Sequence, residues 1–255
     1  MRVAVATSEE LPGLDPDDAP LLAALDGEAE PAVWSDPGVD WSSYDAVLIR
    51  SVWDYFVRHD EFLAWIDRVP IPMWNPADTL RWNSEKGYLR ELEVAGVQTI
   101  PTAWEGEVPW DDAILKPTVA GGSLGLRRAT KGESIEPGWM AQPFLPDIVS
   151  AGELSLVFFA GEFSHAIRKT PAEGDIRVQP EHGGRVEAAR PTPEELAAAE
   201  GVLEAAGRDL LYARVDFVGD RMLIELEVIE PRFFFSCAPG AERRLVDALR
   251  ARVSA

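Results

Sequence analysis

Three carboxylates late in the chain have the spacing expected of a cation site. Glu225 and Glu227 alternate along one predicted strand and so share a face, and Asp216 lies on the strand predicted to pair with it. Carboxylates at such close range repel one another, and a divalent cation relieves that repulsion. Oxygen-only ligands favour Mg²⁺ or Mn²⁺ over zinc. The alternative is an exposed acidic hairpin in which Leu226 and Val228 face the core.

A glycine-rich loop that follows a lysine could bind phosphate. Lys116 stands at the end of a predicted strand, and three glycines follow it within the segment 114–125. Glycines let successive backbone N–H groups point into one concavity, and Lys116 would add a positive charge there. The pattern is neither a P-loop nor the dinucleotide-binding pattern GxGxxG. The alternative is a flexible surface turn.

Lysine is scarce in this chain, which makes each lysine informative. Only four of the 24 cationic residues are Lys, and Arg carries the rest of the positive charge. A compact ammonium suits some tasks that a wide guanidinium does not.

The elements that must position these residues alternate between strands and helices at the start of the chain. Strand, helix and strand are predicted at 2–7, 17–26 and 45–50, and a helix at 60–69. This order predicts a parallel sheet covered by helices. The Pro-rich segment 70–76 is predicted to be an extended linker.

The later chain is predicted to contain two hairpins and three further helices. Ser84 caps a helix that runs to Ala95, and Phe233–Phe235 belongs to the core. The remaining elements are the strand 112–117, the hairpin 152–169 turning at Gly161, a helix from the capping box Thr192-x-x-Glu195 to Ala206, the hairpin 212–229 turning at Gly219, and the helix 241–253.

Composition indicates a folded chain and excludes several classes of partner. Hydrophobic residues make up 46% of the 255 residues, and no apolar run approaches the ~18 residues of a membrane span. The 24 basic against 44 acidic residues disfavour nucleic acids and anionic membranes. The acidic N-terminus argues against secretion, and the single Cys237 excludes an intrachain disulfide. We expect a cytoplasmic protein with a small-molecule or protein partner.

The motifs, taken in chain order, resemble those of the ATP-grasp superfamily. The segment 83–102 resembles the family stretch in which a Lys and a Leu-rich helix precede Gly-[IV]-x-x-[IV]-Pro-Thr. Lys116 and its glycine loop follow, then Met140–Leu145, which resembles the hinge strand of that fold. A Gly-Asp-Ile-Arg sequence at 174–177 and the carboxylates complete the order. The set is most similar to the branch of glutathione synthetases and ribosomal-protein glutamate ligases.

Within that branch, the segments 49–55 and 161–169 and the pair Glu230-Pro231 resemble the D-cycloserine-forming cyclo-ligases. The resemblance implies an α/β (α+β) chain with an ATP-grasp fold. It implies a Rossmann-like pre-ATP-grasp domain at 1–82, a lid subdomain with its preceding helix at 83–144, and a C-terminal subdomain with the metal site at 145–255.

The resemblance also implies roles for individual residues. Arg177 and Lys116 would be catalytic, and Asp216, Glu225 and Glu227 would bind Mg²⁺. The residues implied to hold ATP are Lys86, Lys116, Gly121, Gly122, Ser123, Gln142, Pro143, Phe144, Leu145 and, at the ribose, Glu153. Because ATP is anionic and the chain has a net charge of −20, ATP binding would need a local positive region, and Coulomb interactions decay over about 8 Å. The residues expected to form this region are Lys86, Lys116, Arg168, Lys169 and Arg177.

Two departures from the family pattern concern the metal site and the lid. The family usually has Glu-x-Asn before a Pro-Gly pair, whereas this chain has Glu-x-Glu and places Pro231 one residue late. A second carboxylate remains a good Mg²⁺ ligand. Only 16 residues separate Gly125 from Gln142, and they have little helical periodicity. We therefore expect a shortened lid without its helix, which bears on water exclusion.

The activity implied is ATP-dependent formation of a C–N bond through an acyl-phosphate, on an amino-acid-like small molecule. The cofactors would be ATP and Mg²⁺ or Mn²⁺. Such chemistry needs charge neutralisation and positioning, and the chain has no plausible Ser/His/Asp or Cys/His constellation. The alternatives are a ligase of peptides or protein tails, and a degenerate ATP-grasp protein that binds nucleotide without turnover. The oligomeric state stays open, with a homodimer as one option.

The substrate is expected between the N-terminal domain and the ATP site. Ligands of open α/β sheets bind beyond the carboxyl ends of the strands, where Arg50 ends the strand 45–50 and Trp53, Asp54 and Tyr55 follow. Arg50 is predicted to hold a substrate carboxylate, with a structural salt bridge as its alternative. The residues predicted to contact the substrate are Arg50, Arg168 and Arg214.

Overall fold

The structure, a computed structural model, describes residues 1–253 and begins with a four-stranded parallel sheet. Its strands are β1 (Val3–Thr7), β2 (Ala29–Val33), β3 (Ala46–Ile49) and β4 (Met73–Trp74). Their order across the sheet is β2–β1–β3–β4. Every residue of β1 and β3 is buried, as is usual for parallel strands covered on both faces.

Two helices cover this sheet, which confirms the predicted alternation of strands and helices. Helix α1 (Ala19–Ala24) packs on the face of β1 that carries Val3 and Val5, and α2 (His59–Arg68) packs on the opposite face. The helix predicted at 17–26 is shorter than expected because residues 16–18 form a 3₁₀ turn. Strand β2 was not predicted, since its sequence contains a proline, which an edge strand tolerates.

The segment 70–76 is not the loose linker that its prolines predicted. It contains β4, and Asn75 at its end is fully buried. The Asn75 side chain donates to the carbonyl oxygens of Tyr212 and Val228, and it accepts from the backbone N–H of Leu211. A buried amide with all these partners joins the parallel sheet to the C-terminal half of the chain.

The helix predicted from Ser84 to Ala95 starts only at Tyr88, and a separate helix that was not predicted ends before Ser84, so Lys86 lies between the two helices. Helix α3 (Ala77–Asn83) ends at Ser84, and α4 (Tyr88–Val94) begins after Gly87. The prediction was wrong because Ser84, read as an N-cap, closes the preceding helix. The break lets the backbone N–H of Lys86 donate to the carbonyl of Thr118, so this residue is anchored to the glycine loop.

A small antiparallel sheet follows, and it has the shortened form that the sequence predicts. Its strands are β5 (Ala113–Pro117), β6 (Arg127–Ala129) and β7 (Trp139–Pro143), in the order β6–β5–β7. No helix lies between β5 and β7 in the described chain. The sheet has its own small core around Leu115 and Ala141.

The third sheet is antiparallel and contains both predicted hairpins. Its strands are β8 (Glu153–Phe159), β9 (Glu162–Thr170), β10 (Arg185–Ala189), β11 (Tyr212–Val218) and β12 (Met222–Glu227). Their order is β10–β9–β8–β11–β12, so the two fully buried strands β8 and β11 are neighbours in the centre.

Three helices accompany this sheet. They are α5 (Asp147–Ser150), α6 (Pro193–Ala206) and α7 (Ala241–Val253). The predicted capping box is confirmed, since Thr192 accepts from the N–H of Glu195 and the Glu195 side chain accepts from that of Thr192. Phe233 and Phe235 are buried in a core that also contains Val3 of the parallel sheet, as predicted for this aromatic run.

Candidate active site

One cavity of about 730 Å³ lies where the three sheets approach one another. Its wall combines side chains of β5, β7, β9, β11 and β12 with the loop that follows β3. This volume is within the range of small-molecule sites. The predicted glycine loop, lysines and carboxylates line this cavity, whereas Arg168 of the expected positive region does not.

The predicted acidic hairpin faces the cavity on one side and the core on the other. Asp216 pairs in register with Glu225, and Arg214 with Glu227, so these four side chains share one face. All four line the cavity. Leu226 is fully buried on the opposite face, in the core of the five-stranded sheet. The expected juxtaposition of the carboxylates is therefore present.

Two cationic side chains lie between these carboxylates and form salt bridges with them. Arg214 Nη2 lies 2.8 Å from Asp216 Oδ2 and also bonds to Glu227 Oε1. Lys169 Nζ lies 3.2 Å from Asp216 Oδ2 and contacts Glu153. The result is a continuous ionic network across β8, β9, β11 and β12, in which each cation serves two carboxylates.

The network leaves excess negative charge at one end. Although burial opposes it, Arg214 and then Lys169 hold the pKa of Asp216 well below its usual range. Burial raises the pKa of Glu227 to about 7. Burial, followed by repulsion from Glu227 and Glu225, raises the pKa of Glu230 to about 8. A cation bound beside Glu227 and Glu230 would favour the ionised forms of these carboxyl groups.

The two predicted phosphate-binding lysines lie opposite the acids. Lys86 Nζ is 3.2 Å from Glu225 Oε1 and donates to the carbonyl of Ala120 at 2.6 Å. Lys116 projects from β5, and burial lowers its pKa to about 8 while Glu225 opposes that shift. An anion that entered between these lysines would favour the charged form of Lys116.

The glycine loop is packed between the small sheet and the N-terminal domain. A methyl group built on Gly121 would lie 2.8 Å from Phe56 Cε1, and one built on Gly125 would lie 3.0 Å from Pro117 Cγ. Ser123 has a positive φ of 66°, so the chain reverses direction within the loop. Close contact on both sides explains the requirement for glycine better than a free surface turn does.

The predicted nucleotide-binding segment after β7 lines the cavity, but part of it is already bonded. Gln142 Nε2 donates to Thr102 Oγ1 at 3.0 Å, and the N–H of Phe144 donates to the carbonyl of Asp112 at 3.0 Å. Glu153, predicted at the ribose, lies in the cavity wall against Lys169. Burial raises its pKa to about 7. The roles of these residues toward a nucleotide stay predictions.

Arg177 lines the cavity from the loop between β9 and β10. Its guanidinium is bonded to Asp175, with Nη2 at 2.7 Å from Oδ2 and Nε at 3.1 Å from Oδ1. Hydrogen bonds from Arg177 hold the pKa of Asp175 well below its usual range. In a catalytic role, Arg177 would either contact the phosphoryl group while still bonded to Asp175 or release Asp175 and bind the phosphoryl group instead.

The cation-binding prediction can be tested against the donor set. Within residues 1–253, no three acidic, His or Cys side chains form a ready-made metal cage. Asp216, Glu225 and Glu227 instead turn toward Arg214, Lys169 and Lys86. The donors are nevertheless all carboxylate oxygens beside excess negative charge, which fits a hard divalent cation. The three residues are retained as predicted ligands.

Two of the three predicted substrate residues lie outside the cavity. Arg50 is 2% exposed, with Nε 2.8 Å from Asp18 Oδ1 and its guanidinium carbon 3.9 Å from the centre of the Phe233 ring. It also donates to the carbonyl of Pro231, so the salt-bridge alternative is the correct one. Arg168 donates to the carbonyl of Ala151 and lies on the face of β9 opposite Lys169. Arg214 is the one that lines the cavity.

Several cavity residues received no individual role from the sequence. Lys169 entered only as part of the positive region, although its scarcity and its strand position were a usable signal. Glu230 was noted only within a dipeptide, and Phe56 and Arg232 were not singled out. All four line the cavity. Of the three residues named in the loop after β3, Trp53 and Tyr55 line the cavity, whereas Asp54 accepts a hydrogen bond from Trp34 Nε1 instead.

Two segments of the chain match known families. Residues 3–75 match the N-terminal domain of D-cycloserine synthetase DcsG, and residues 112–237 match the ATP-grasp domain of prokaryotic glutathione synthetase.

No helix within the described residues is long and apolar enough to cross a membrane.

Individual relatives extend the similarity over nearly the whole chain. Cycloserine biosynthesis protein DcsG of Streptomyces lavendulae is 30% identical, and the alignment covers 94% of this chain and 95% of the relative. Glutathione synthetase of Parasynechococcus marenigrum (strain WH8102) is 28% identical, with coverage of 84% and 76%. The crystal structure of D-cycloserine synthetase DcsG is 26% identical with a TM-score of 0.85, covering 99% of this chain and 100% of the other.

Proposed function

This chain belongs to the ATP-grasp ligases, and we propose that it uses ATP to activate the carboxylate of an amino-acid-like small molecule and then forms a C–N bond at that carbon. ATP-grasp ligases use ATP and act on small-molecule substrates. The observation that carries the proposal is one cavity. Lys86, Lys116 and the glycine loop line it together with the acidic hairpin.

The proposed reaction has two steps. A substrate carboxylate oxygen attacks the terminal phosphorus of ATP, the bond from that phosphorus to the bridging oxygen breaks, and ADP leaves with its electron pair. An amine nitrogen then attacks the acyl carbon of the acyl-phosphate. Phosphate leaves with the electron pair of the C–O bond, and the surplus proton on nitrogen passes to phosphate or water. No side-chain nucleophile is needed.

The charged side chains of the cavity supply the neutralisation that phosphoryl transfer requires. Lys116 and Lys86 would hold phosphate oxygens, and Arg177 would stabilise the charge on the transferring group. A divalent cation bound by Asp216, Glu225 and Glu227 would draw negative charge from the phosphates and fix their orientation. The glycine loop and the small sheet would cover the phosphates and limit access of water.

The similarity to a cycloserine-forming relative favours ring closure over the joining of two molecules. Cycloserine is a small ring closed by an acyl C–N bond, and the chain aligns with DcsG from end to end. The cavity volume of about 730 Å³ suits ATP together with one small substrate. A ligase of peptides or protein tails would need an open groove. Consumption of ATP fits the cytoplasmic location expected from the sequence.

A phosphate-release screen tests the proposal. The chain is incubated with ATP and Mg²⁺ and with each of a set of D- and L-amino acids and their O-substituted derivatives. We expect release of ADP and phosphate that depends on one class of amino acid and is lost in Lys116→Ala and Glu225→Gln. Stabilisation by ATP without turnover on any substrate would instead support the degenerate nucleotide-binding alternative.

A further inference from the structure

We propose that Glu230 binds the ammonium group of the substrate, so that the substrate class is restricted to molecules with a free cationic amine. The inference rests on the proposed function, because it names what that cavity recognises. It is carried by the position of one unpaired carboxylate among aromatic rings.

Glu230 differs from the other acids of the cavity in having no cationic partner. Each of the other carboxylates in the wall forms an ion pair with Lys or Arg. Within residues 1–253, no Lys, Arg or His nitrogen lies within 4.0 Å of the Glu230 carboxylate. A half-buried carboxylate that lacks a partner is costly, and a cationic ligand group removes that cost.

The surroundings of Glu230 suit an ammonium better than a bare metal ion. The loop after β3 brings Trp53, Tyr55 and Phe56 to this end of the cavity. Trp53 Nε1 donates to the backbone carbonyl of Glu230 at 3.4 Å, and burial followed by the charge of Glu230 raises the pKa of Tyr55 well above its usual value. The Arg232 guanidinium already lies 4.6 Å from the centre of the Trp53 ring, so Tyr55 and Phe56 are the cavity-lining rings that could attract an organic cation, whereas Mg²⁺ requires several oxygen ligands.

The site also lies at a suitable distance from the phosphate end. A methyl group built on Gly121 would lie 3.7 Å from Glu230 Oε1, so the glycine loop borders the carboxylate directly. A molecule whose amine contacts Glu230 would therefore carry its carboxylate only a few bonds away, beneath the loop. That spacing is typical of an α- or β-amino acid.

The test compares amine-bearing probes with matched probes that lack the cation. D- and L-alanine, serine and O-methylserine are each assayed beside their N-acetyl and des-amino forms, with hydroxylamine added as the attacking nitrogen because an ammonium held by Glu230 has no free electron pair. Phosphate release with ATP and Mg²⁺ and thermal stabilisation by the probe alone are measured in parallel. We expect a response only to the free amines. Glu230→Gln should raise the KM or Kd of the responding amino acid about 10- to 100-fold, with Glu230→Asp between it and the unmodified chain.

The two readouts separate this inference from the proposed function. The KM values of ATP and Mg²⁺ should change less than about twofold, and Glu187→Gln, an exposed substitution on β10, should change nothing. Amino-acid stabilisation that is lost in Glu230→Gln supports the inference even without phosphate release. Equal use of N-acetyl or des-amino probes, no response to any free amine, or a loss confined to Mg²⁺ affinity would overturn it while leaving ligase chemistry to be judged separately.

Discussion

Two arginines of this chain are almost equally buried and each is bonded to an aspartate at 2.8 Å, yet their surroundings differ in charge balance. Arg50 is 2% exposed and Arg214 is 5% exposed. Arg50 is matched by one carboxylate, that of Asp18, and lies on the ring of Phe233. Arg214 contacts Asp216 and Glu227 within a network that continues through Lys169.

The difference separates a structural ion pair from a ligand site. A balanced buried pair has no net charge, although Arg50 Nη1 lacks a hydrogen-bond partner, and here the pair joins the parallel sheet to Pro231. In a network with more acidic than basic side chains beside a cavity, a bound cation or cationic ligand neutralises the excess negative charge. Burial and ion pairing alone therefore do not distinguish a structural arginine from one at a ligand site. A local excess of acidic side chains beside a cavity is the feature that distinguishes them here.

The largest expected effect is on stability, at the balanced pair. Asp18→Ala leaves Arg50 buried without its carboxylate, and this should lower the free energy of unfolding by about 3–5 kcal/mol. Urea denaturation with and without the substitution measures it. Turnover per folded molecule should be unchanged, because Arg50 does not line the cavity. If the variant is as stable as the unmodified chain but binds substrate more weakly, Arg50 contributes to substrate binding and the comparison is contradicted.

The next largest effect is on turnover, at the unbalanced site. Lys116→Ala removes a charge that would neutralise the transferring phosphate, and kcat/KM for ATP should fall about 10²–10³-fold. Thermal stability should change little, since Lys116 has no salt-bridge partner in the described residues. Lys131→Ala, in an exposed turn of the same small sheet, is the matched control and should retain full activity.

Glu227→Gln should change stability and activity in opposite directions. Because burial raises the pKa of Glu227 to about 7, its ionisation costs stability as pH rises from its unfolded value through 7. The ligand-free variant should therefore melt a few degrees higher at pH 8 and equally at pH 4. Phosphate release with Mg²⁺ should nevertheless fall about 10- to 100-fold. A lower melting temperature of the variant at pH 8 would mean that ionised Glu227 stabilises the folded state.

The sequence predicts the positions of the acidic hairpin and of the glycine loop after Lys116 well, because these positions depend on local patterns. Alternation along a strand placed Glu225 and Glu227 on one face, and a glycine run after Lys116 placed the loop. The missing lid helix was also visible as a lack of periodicity. These features need only neighbours within one hairpin or one loop.

The substrate end depends on contacts between distant segments, which single-sequence patterns do not encode. Arg50 ends its strand where ligands usually bind, but Asp18 and the carbonyl of Pro231, 181 residues away, capture it. The segment 70–76 looked like a linker because the partners of Asn75 come from β11 and the residue after β12. The misplacement of Ser84 has the same origin, since Lys86 between the two helices is fixed by Thr118.

The smallest predicted effect is a pH dependence that belongs to the unbalanced site alone. Burial lowers the pKa of Lys116 to about 8, so its ammonium form is lost as pH rises through 8 in the ligand-free protein. ATP favours the charged form, and its affinity should therefore fall as pH rises above 8, approaching tenfold per pH unit. Isothermal titration with ATP and no amino acid isolates this step from ionisation of the substrate amine. Lys116→Arg keeps its charge at every pH used and should bind ATP without that slope. If the slope persists unchanged in Lys116→Arg, the titrating group is not Lys116, and the lysine side of the comparison fails.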